Sequence, residues 1–333
     1  MPVPESAAAF ISSLIARARP LQKRIVFPEG SDPRVQTAAE RLAREGIVQP
    51  ILIGPKAAVP GVKFVDPAAS GNVRKYAGLL YERRRARGMT LVEAEQFAVK
   101  PLYFGALMVS ADDADGSVGG VAHTTADTVR AALHAVGTAS GIHLVSSAYI
   151  MAVADRDLGH GGLIAFGDCS IVINPGAVEL AEIAIATADT TRRLIGAEPV
   201  VAMLSFSTKR KGRHPQVDKI VEALRVVRER APGLNIDGEL QLDAAIVPEV
   251  ARSKAPGSTV AGRANTLIFP DLNSGNIGYK LVQRLAGAAA LGPVLQGLAK
   301  PLNDISRGAS VDDIFHAAIL TAVQAAGVRS AGA

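Results

Sequence analysis

Residues 24–54 read RIVFPEGSDPRVQTAAERLAREGIVQPILIG, and this stretch decides the fold class. Its two apolar runs, RIVFPEG and VQPILIG, each have the length and the flanking turn residues of a short strand. Between them, Asp32 offers an N-capping side chain and Pro33 fits the first turn of a helix. Two strands joined by a helix of this length form a βαβ unit, so the stretch predicts neighbouring parallel strands.

The same alternation continues along the chain. Residues 123–137 predict a helix, and residues 143–154 and 162–174 predict two strands of a hairpin. Residues 215–233 predict an amphipathic helix, because their apolar side chains fall on one stripe. The segment 311–327 is apolar on most faces of a helix and is therefore predicted to be buried. Repeated strand and helix patterns indicate an α/β architecture.

The composition indicates a protein with a packed core. Of the 333 residues, 48% are hydrophobic and 20% are charged. The single cysteine, Cys169, excludes an internal disulfide and favours a reducing compartment. The N-terminal segment lacks the basic start of a signal peptide, and the longest apolar stretches are shorter than a membrane span. We therefore expect a cytoplasmic protein with no membrane partner.

The net charge is compatible with a nucleic-acid partner, an anionic small molecule, or a charged surface that serves only solubility. Lysine and arginine number 36 against 31 aspartate and glutamate residues, a difference of +5. Two short basic clusters stand out, RRRAR at residues 83–87 and KRKGR at residues 209–213. Neither cluster is interleaved with the aromatic side chains on which nucleic-acid bases stack. We expect no nucleic-acid partner, and a non-catalytic protein that binds nucleic acid or another anion stays as a remote alternative.

Several common catalytic motifs are absent from the sequence. No GxGxxG follows the first strand, no GxxxxGK[ST] occurs, and no GxSxG is found. The six histidines are scattered and form neither HExxH nor a pairing with cysteine. The sequence therefore predicts no metal site and no permanently bound cofactor, and it disfavours a nicotinamide and a serine acyl-enzyme.

Four segments carry a resemblance to a known family. They are RIVFPEGSDPRVQTAA at the start, FGDCSIVINP at residues 166–175, PDLNSGNIGYK at 270–280 and LQGLAKPLNDISRG at 295–308. Together they resemble the phosphate acetyl/butyryltransferase family, and the likeness runs over nearly the whole chain. The last two segments make the combination highly specific, and they favour the acetyl branch over the butyryl branch.

The resemblance implies two three-layer α/β domains of the isocitrate/isopropylmalate dehydrogenase type. Residues 1–140 with 300–333, which include the returning C-terminal helix, would form the first domain. Residues 141–299 would form the second domain, which is expected to make the contact of a homodimer. The active site is expected in the cleft between the two domains.

The implied reaction is the reversible transfer of an acetyl group between CoA and phosphate. CoA and acetyl phosphate would bind together as substrates, and the CoA thiolate would attack the acetyl carbon directly, without a metal or an acyl-enzyme. The thiolate is the reactive form of the thiol, and the charge of the acyl phosphate needs neutralising partners. Butyryl transfer is the alternative within the same family.

Individual residues match the motifs of the family. Asp313 matches the base that removes the thiol proton, and Arg307 matches the residue that grips acetyl phosphate through its planar guanidinium. Ser306 matches a serine near the thiol. Arg84 and Arg130 match arginines that bind CoA, whose phosphates require a basic surface.

A further pair, Asn276 and Lys280 of the GNIGYK segment, is a candidate for the phosphate pocket. Cys169 is interpreted as a buried, unreactive residue. His123 and His214 are interpreted as residues that form structural hydrogen bonds.

Two of the catalytic candidates also have structural interpretations. Ser310 and Asp313 have the spacing of a capping box at the start of the last helix. Asp313 is therefore either a helix cap or the base, and Asp312 is an alternative base. Arg307 could instead form an ion pair with Asp304.

Overall fold

Residues 4–55 and 59–327 are described by the computed structural model of the protein. They fold into two units. The terminal unit comprises Ser12–Gly141 and the chain from Leu298 onward, and the middle unit comprises the chain up to Ile11 and Ile142–Gly297.

The secondary structure alternates between helix and strand, as the sequence predicts. The α-helices are α1 Glu5–Ala18, α2 Pro33–Arg44, α3 Val73–Arg84, α4 Leu91–Ala98, α5 Pro101–Ser110, α6 Thr125–Ala135, α7 Ala177–Thr190, α8 Pro215–Arg230, α9 Leu242–Ile246, α10 Pro248–Lys254, α11 Leu272–Leu285 and α12 Val311–Ala325. The strands are β1 Arg24–Phe27, β2 Gln49–Ile53, β3 Lys63–Val65, β4 Gly116–Gly119, β5 Ser146–Ala152, β6 Leu163–Gly167, β7 Val201–Leu204, β8 Ile236–Leu240, β9 Thr266–Ile268, β10 Ala289–Gln296 and β11 Leu302–Asp304.

The terminal unit contains a parallel sheet in the order β11-β4-β1-β2-β3. The predicted βαβ unit is confirmed: Ile25 of β1 lies opposite Pro50 of β2, and α2 connects the strands. Asp32 is the N-cap of α2, because its carboxylate accepts from the backbone N–H of Arg34 at 2.8 Å. Since the strands are parallel, their carboxyl ends meet at one edge of the sheet.

Helix α12 contributes much of the core of the terminal unit. Its residues Ile314, Phe315 and Ala318 are fully buried, so the prediction of a buried final helix is confirmed. The Arg41 guanidinium of α2 lies 3.8 Å above the Phe315 ring and also binds the Asp312 carboxylate at 2.8 Å. These contacts hold the start of α12 against α2.

The middle unit contains a mixed sheet in the order β10-β5-β6-β9-β7-β8. Strands β5 and β6 are antiparallel, which confirms the predicted hairpin, and β10 is also antiparallel to β5. Strands β6, β9, β7 and β8 run parallel to one another. Helix α11 includes the glycine-containing LNSGN segment, where the sequence analysis predicts no helix.

The first described residues associate with the middle unit. The Ser6 hydroxyl donates to the Val153 carbonyl at 2.6 Å, and Arg156 pairs with Glu5 at 3.2 Å. The predicted first domain had included all of residues 1–140 with 300–333, of which 1–3, 56–58 and 328–333 lie outside the described residues. Among the described residues, no helix is both long and apolar enough to cross a membrane.

Candidate active site

Three loops meet at the carboxyl edge of the terminal unit's sheet. They follow β1, β4 and β11, which lie side by side in the sheet. The loop after β11 contains Ser306, Arg307 and Gly308, and all three residues are exposed. The carboxyl edge of a parallel sheet is where α/β proteins bind ligands.

The Arg307 side chain is available to a ligand. Its guanidinium has no hydrogen-bond or ion-pair partner among the described residues. The alternative of an ion pair with Asp304 is not observed, because the Asp304 carboxylate is buried and accepts from the Thr125 hydroxyl at 2.6 Å. The Ser306 hydroxyl accepts from the backbone N–H of Gly308 at 3.2 Å, which shapes the turn.

Arg34 fixes the position of this turn. Its guanidinium donates to the carbonyl of Arg307 at 2.8 Å and to that of Ala309 at 2.9 Å. It also reaches the carbonyl of Val121, in the loop after β4, at 3.2 Å. Asp32 holds the same guanidinium through a salt bridge of 2.8 Å. One side chain therefore connects the loops that follow β1, β4 and β11.

We expect Arg34→Lys to reduce turnover with acetyl phosphate by about 10-fold to 100-fold, because misplacement of a binding group by about 1 Å can cost about 100-fold. An ammonium lacks the planar fork that reaches three carbonyls at once. Steady-state kinetics of this variant should be compared with Arg44→Lys, a change at an exposed arginine of the same helix. Equal activity of the two variants would show that the turn does not depend on Arg34.

The two aspartates at the start of α12 both have structural partners. The Asp313 carboxylate accepts from the backbone N–H and from the hydroxyl of Ser310, each at 2.8 Å. The Ser310 hydroxyl accepts from the backbone N–H of Asp313 at 3.2 Å, which completes a capping box. Asp312 is bound by Arg41. The capping geometry that the spacing predicts is therefore present, and the role of Asp313 as a base stays a prediction.

Asp304 is the last residue of β11, two residues before Ser306, and is only 2% exposed. Its Oδ1 is buried and has no hydrogen-bond partner within the described parts of the chain. Burial raises the pKa of the Asp304 carboxyl to about 6, and the nearby charge of Glu29 adds to the rise. Hydrogen bonds from the hydroxyls of Thr125 and Thr128 act in the opposite direction and lower this pKa.

This raised pKa predicts a pH-dependent stability. Because the pKa is raised by folding from 3.8 to about 6, the stabilisation is complete below pH 4 and is lost as the pH rises through about 6. A change of the carboxyl pKa from 3.8 to about 6 corresponds to about 3 kcal/mol. Relative to Asp304→Asn, the free energy of unfolding of the unaltered protein should fall by about this amount between pH 4 and pH 7. Urea unfolding of both proteins measures it, and parallel pH profiles would contradict the prediction.

A carboxylate and an imidazole form a second feature of this edge. Glu29, which follows β1, accepts from the backbone N–H groups of Gly120 at 3.0 Å and of Ala122 at 3.0 Å. The same carboxylate lies 2.7 Å from Nδ1 of His123. Glu29 is 8% exposed, whereas the His123 side chain is 37% exposed.

The charges of Arg84 and Arg130 change the pKa values of the same two side chains, His134 and Tyr103. Burial, and then the charges of Arg84 and Arg130, lower the pKa of the His134 imidazole. Both arginines also oppose the effect of burial, which raises the pKa of the Tyr103 hydroxyl. Arg130 pairs with the exposed Asp127 at 2.8 Å, whereas Nε of Arg84 is buried and lacks a hydrogen-bond partner among the residues described. The structure therefore brings the two predicted CoA-binding arginines into one basic region.

Asn276 and Lys280 lie in the middle unit, one turn apart on α11. The Asn276 amide donates to the carbonyl of Cys169 at 2.9 Å, and Nζ of Lys280 donates to Oδ1 of Asn276 at 2.8 Å. Gly275 permits this close approach, since a Cβ there would lie 2.3 Å from the Asp168 carbonyl oxygen. The predicted phosphate-pocket role of the pair stays a prediction.

Cys169 and His214 have the surroundings of structural residues. Cys169 is fully buried, and burial together with the charge of Asp168 raises the pKa of its thiol. The imidazole of His214 accepts from the backbone N–H of Gln216 at 3.2 Å and caps α8. In the described part of the chain, no group of three His, Cys, Asp or Glu side chains is arranged to hold a metal ion.

The sequence interpretation missed the roles of Arg34 and Glu29. Both lie in the segment PEGSDPR, which follows the first strand. This position is the sequence feature that could have identified them as site residues. Residues after a strand of a parallel sheet lie at the edge where ligands bind. Which of them meet the loops after β4 and β11 depends on the strand order, which a single sequence does not reveal.

Comparisons with known proteins agree with this arrangement. The family model described as phosphate acetyl/butaryl transferase matches residues 9–322. A phosphate acetyltransferase of Acetivibrio thermocellus is 46% identical over 331 residues, which cover 97% of this chain and 100% of that protein. The crystal structure of a phosphotransacetylase from Streptococcus pyogenes has a TM-score of 0.90 at 44% identity and covers 96% of this chain and 99% of its own.

A more distant structure defines the fold class. A 4-hydroxythreonine-4-phosphate dehydrogenase from Klebsiella pneumoniae is 10% identical, with a TM-score of 0.50 and coverage of 92% of this chain and 99% of that one. At this identity only the fold is shared, and the predicted α/β class of the isocitrate/isopropylmalate dehydrogenase type is confirmed. Because the family model matches most of this chain, the chain belongs to the phosphate acetyl/butaryl transferase family.

Proposed function

We propose that the protein is a phosphate acetyltransferase, which converts CoA and acetyl phosphate to acetyl-CoA and phosphate, reversibly. The observation that carries the proposal is the exposed, unpartnered Arg307 guanidinium, in a turn that Arg34 holds in place. A guanidinium presents a planar fork to two phosphate oxygens and neutralises their charge. Relatives with nearly half of their residues identical carry the same activity in their names.

The proposed mechanism is a direct attack in a ternary complex. Arg307 holds the phosphate group of acetyl phosphate, and the Ser306 hydroxyl lies one residue away to orient the thiol or the acetyl carbonyl. The thiolate of CoA forms a bond to the acetyl carbon while the bond from that carbon to the phosphate oxygen breaks. No enzyme nucleophile is needed, since both substrates are held together and positioned.

The basic region around Arg84 and Arg130 is proposed to bind the phosphates of CoA. Arg84→Ala should raise the KM for CoA about tenfold, and it should leave the KM for acetyl phosphate unchanged. Arg85→Ala is the matched control, because Arg85 is exposed and pairs with Glu82 on the surface. Initial rates at varied CoA measure both variants, and an equal effect on the two KM values would place Arg84 outside the CoA site.

The experiment that tests the function measures thioester formation by the purified protein. CoA and acetyl phosphate should give acetyl-CoA without an added metal, and no turnover by folded protein would refute the proposal. Comparing kcat/KM for acetyl, propionyl and butyryl phosphate decides between the acetyl and butyryl reactions. One methylene group changes binding by about 1–3 kcal/mol, so some activity with the longer substrates is expected.

We also propose that two copies of the chain associate and that the protein acts in the cytoplasm. The dimer follows from the resemblance to the family, and the absence of disulfides fits a reducing compartment. Analytical ultracentrifugation measures the association. Sedimentation as a monomer at the concentrations used for kinetics would contradict the dimer.

A further inference from the structure

A pocket of about 270 Å³ lies at the carboxyl edge of the middle unit's sheet. It is formed by the segments that follow β7 and β8, which are neighbouring parallel strands, and by the end of α10. The residues that line it include Phe206, Lys211, Gly212, Gln241 and Lys254. The carboxyl ends of parallel strands are where α/β proteins bind ligands.

Two hydrogen-bond donors in this pocket are not used by the protein itself. Oε1 of Gln241 accepts from Nζ of Lys254 at 3.1 Å, and because an ammonium only donates, the other terminal atom of Gln241 is the NH₂ group. This NH₂ and the Lys211 ammonium have no partner among residues 4–55 and 59–327. Lys254 is neutralised by Asp243 at 2.7 Å. Lys211 is therefore the lysine of the pocket whose charge is available to an anion.

The loop that carries Lys211 reads KRKGR and is strongly basic. The guanidinium groups of Arg210 and Arg213, like the ammonium of Lys211, have no hydrogen-bond or ion-pair partner within the described residues. The fourth cation, Lys209, pairs with the buried Asp237 at 2.5 Å. Three neighbouring positive charges repel one another, and a ligand with phosphate groups would neutralise them.

Buried groups hold this loop in a strained conformation. Arg210 has a positive φ of +59°, which residues with side chains rarely adopt. The Glu239 carboxylate, which is 1% exposed, accepts from the backbone N–H of Arg210 at 2.6 Å and from the Ser207 hydroxyl at 2.9 Å. The same hydroxyl accepts from the backbone N–H of Gly212 at 3.0 Å. The backbone on both sides of Lys211 is therefore fixed, and such strain is typical of ligand sites.

Phe206 places an exposed aromatic ring beside the basic loop. It is 60% exposed, although large apolar side chains are usually buried. The ring meets His214 edge to face, with centroids 5.9 Å apart, and a Cβ at Gly212 would lie 3.2 Å from its Cε2. The ring is therefore held by its neighbours. Stacking on such a ring is a common way for proteins to bind nucleotide bases.

We propose that this pocket binds a nucleotide with two or more phosphates, whose base stacks on Phe206 and whose phosphates contact Lys211 and the Gln241 NH₂. A base alone would leave the charges of the loop unpaired, and inorganic phosphate would leave the ring exposed, so a ligand with both parts fits best. This chemistry has two sources, a free nucleotide such as ATP and the nucleotide end of CoA. The inference is independent of the proposed function, because binding is measured without turnover.

Calorimetric titration with ATP tests the pocket. The unaltered protein should bind ATP, and Lys211→Gln should weaken this binding about tenfold or more, because a charged contact to phosphate is lost. The control is Arg252→Gln, which removes a positive charge from an exposed residue of the same unit that pairs with Glu249. It should leave ATP binding unchanged. Thermal unfolding of each variant verifies that it is folded.

Phe206→Ala tests the two parts of the ligand separately. It should weaken the binding of ATP about tenfold, because the stacking of the base is lost. It should leave the binding of inorganic tripolyphosphate unchanged, whereas Lys211→Gln should weaken the binding of both ligands. Equal effects of Phe206→Ala on ATP and tripolyphosphate would contradict a base stacked on the ring.

Titration of ATP in excess CoA distinguishes the two sources. Unchanged binding of ATP would assign the pocket to a free nucleotide. Displacement of ATP by CoA, together with weaker binding of CoA by Lys211→Gln, would assign it to the nucleotide end of CoA.

Three results would overturn the inference. The first is a folded, unaltered protein that does not bind ATP; if that protein forms acetyl-CoA, the proposed function stands without the nucleotide pocket. The second is ATP binding that is lost in Arg84→Ala and unchanged in Lys211→Gln, which would place the nucleotide in the basic region of the terminal unit. The third is salt-sensitive binding of single-stranded RNA that Lys211→Gln abolishes, without binding of ATP, which would make the loop a nucleic-acid contact.

Discussion

Arg307→Ala is expected to lower kcat/KM for acetyl phosphate by about 10²–10³-fold, a loss of about 2.7–4 kcal/mol, as for removal of one preorganised donor to a reacting group. The proposed role of the guanidinium is to neutralise the charge of the phosphate that leaves, so its removal should weaken binding of the transition state as well as of the substrate. Since the Arg307 side chain has no partner within the described residues, the melting temperature should not change. Initial-rate kinetics and thermal unfolding of the same preparation measure both effects.

Two further variants make this prediction specific to the site. Arg307→Lys keeps the charge but loses the fork, and it should recover only part of the activity. Arg44→Ala removes an exposed arginine of the same unit and should leave the kinetics unchanged. Full activity of Arg307→Ala would remove the main support for the proposed function.

Gly120→Ala is expected to lower the free energy of unfolding by about 3–5 kcal/mol, which combines backbone strain with overpacking. Gly120 directly follows β4 and has a φ of +112°. A Cβ at this position would lie 2.3 Å from the Ile305 carbonyl oxygen and 2.4 Å from Oδ1 of Asp304. The end of β11 and the loop after it, which carries Ser306 and Arg307, would have to move, so activity should fall together with stability.

Gly88→Ala is a control that introduces backbone strain without a steric clash. Gly88 also has a positive φ, +88°, but a Cβ there would meet no atom of the described residues within 4 Å. Gly88→Ala should therefore lower the free energy of unfolding by only about 1 kcal/mol. Chemical unfolding of both variants measures the difference. A Gly120→Ala protein as stable as Gly88→Ala would show that the loops after β4 and β11 do not pack as described.

The fold was predictable where local signals agreed with one another. Asp32 and Pro33 marked the start of α2, and the apolar runs on either side formed β1 and β2 as expected. Helix α11 was missed because its sequence contains Gly275 and Gly278, which have low helix propensity. Tertiary packing overrides that propensity, since α11 needs Gly275 to approach the carbonyl of Asp168.

The site was predictable only in part. The exposed turn with Ser306 and Arg307 could be located from its motif, and the spacing of Ser310 and Asp313 correctly predicted a capping box. The bonds of Arg34 to distant carbonyls and the pairing of Glu29 with His123 could not be predicted. They join segments 87 to 275 residues apart, and they depend on which strands are neighbours in the sheet.

Acetyl is proposed to pass directly from phosphate to CoA while both substrates are bound. The most direct test follows the exchange of labelled phosphate into acetyl phosphate by the unaltered protein, with and without CoA. Direct transfer predicts rapid exchange when CoA is present and none when it is absent, because no acetyl group is transferred to the protein. Exchange without CoA, at a rate comparable to turnover, would require an acetylated enzyme and would exclude direct transfer.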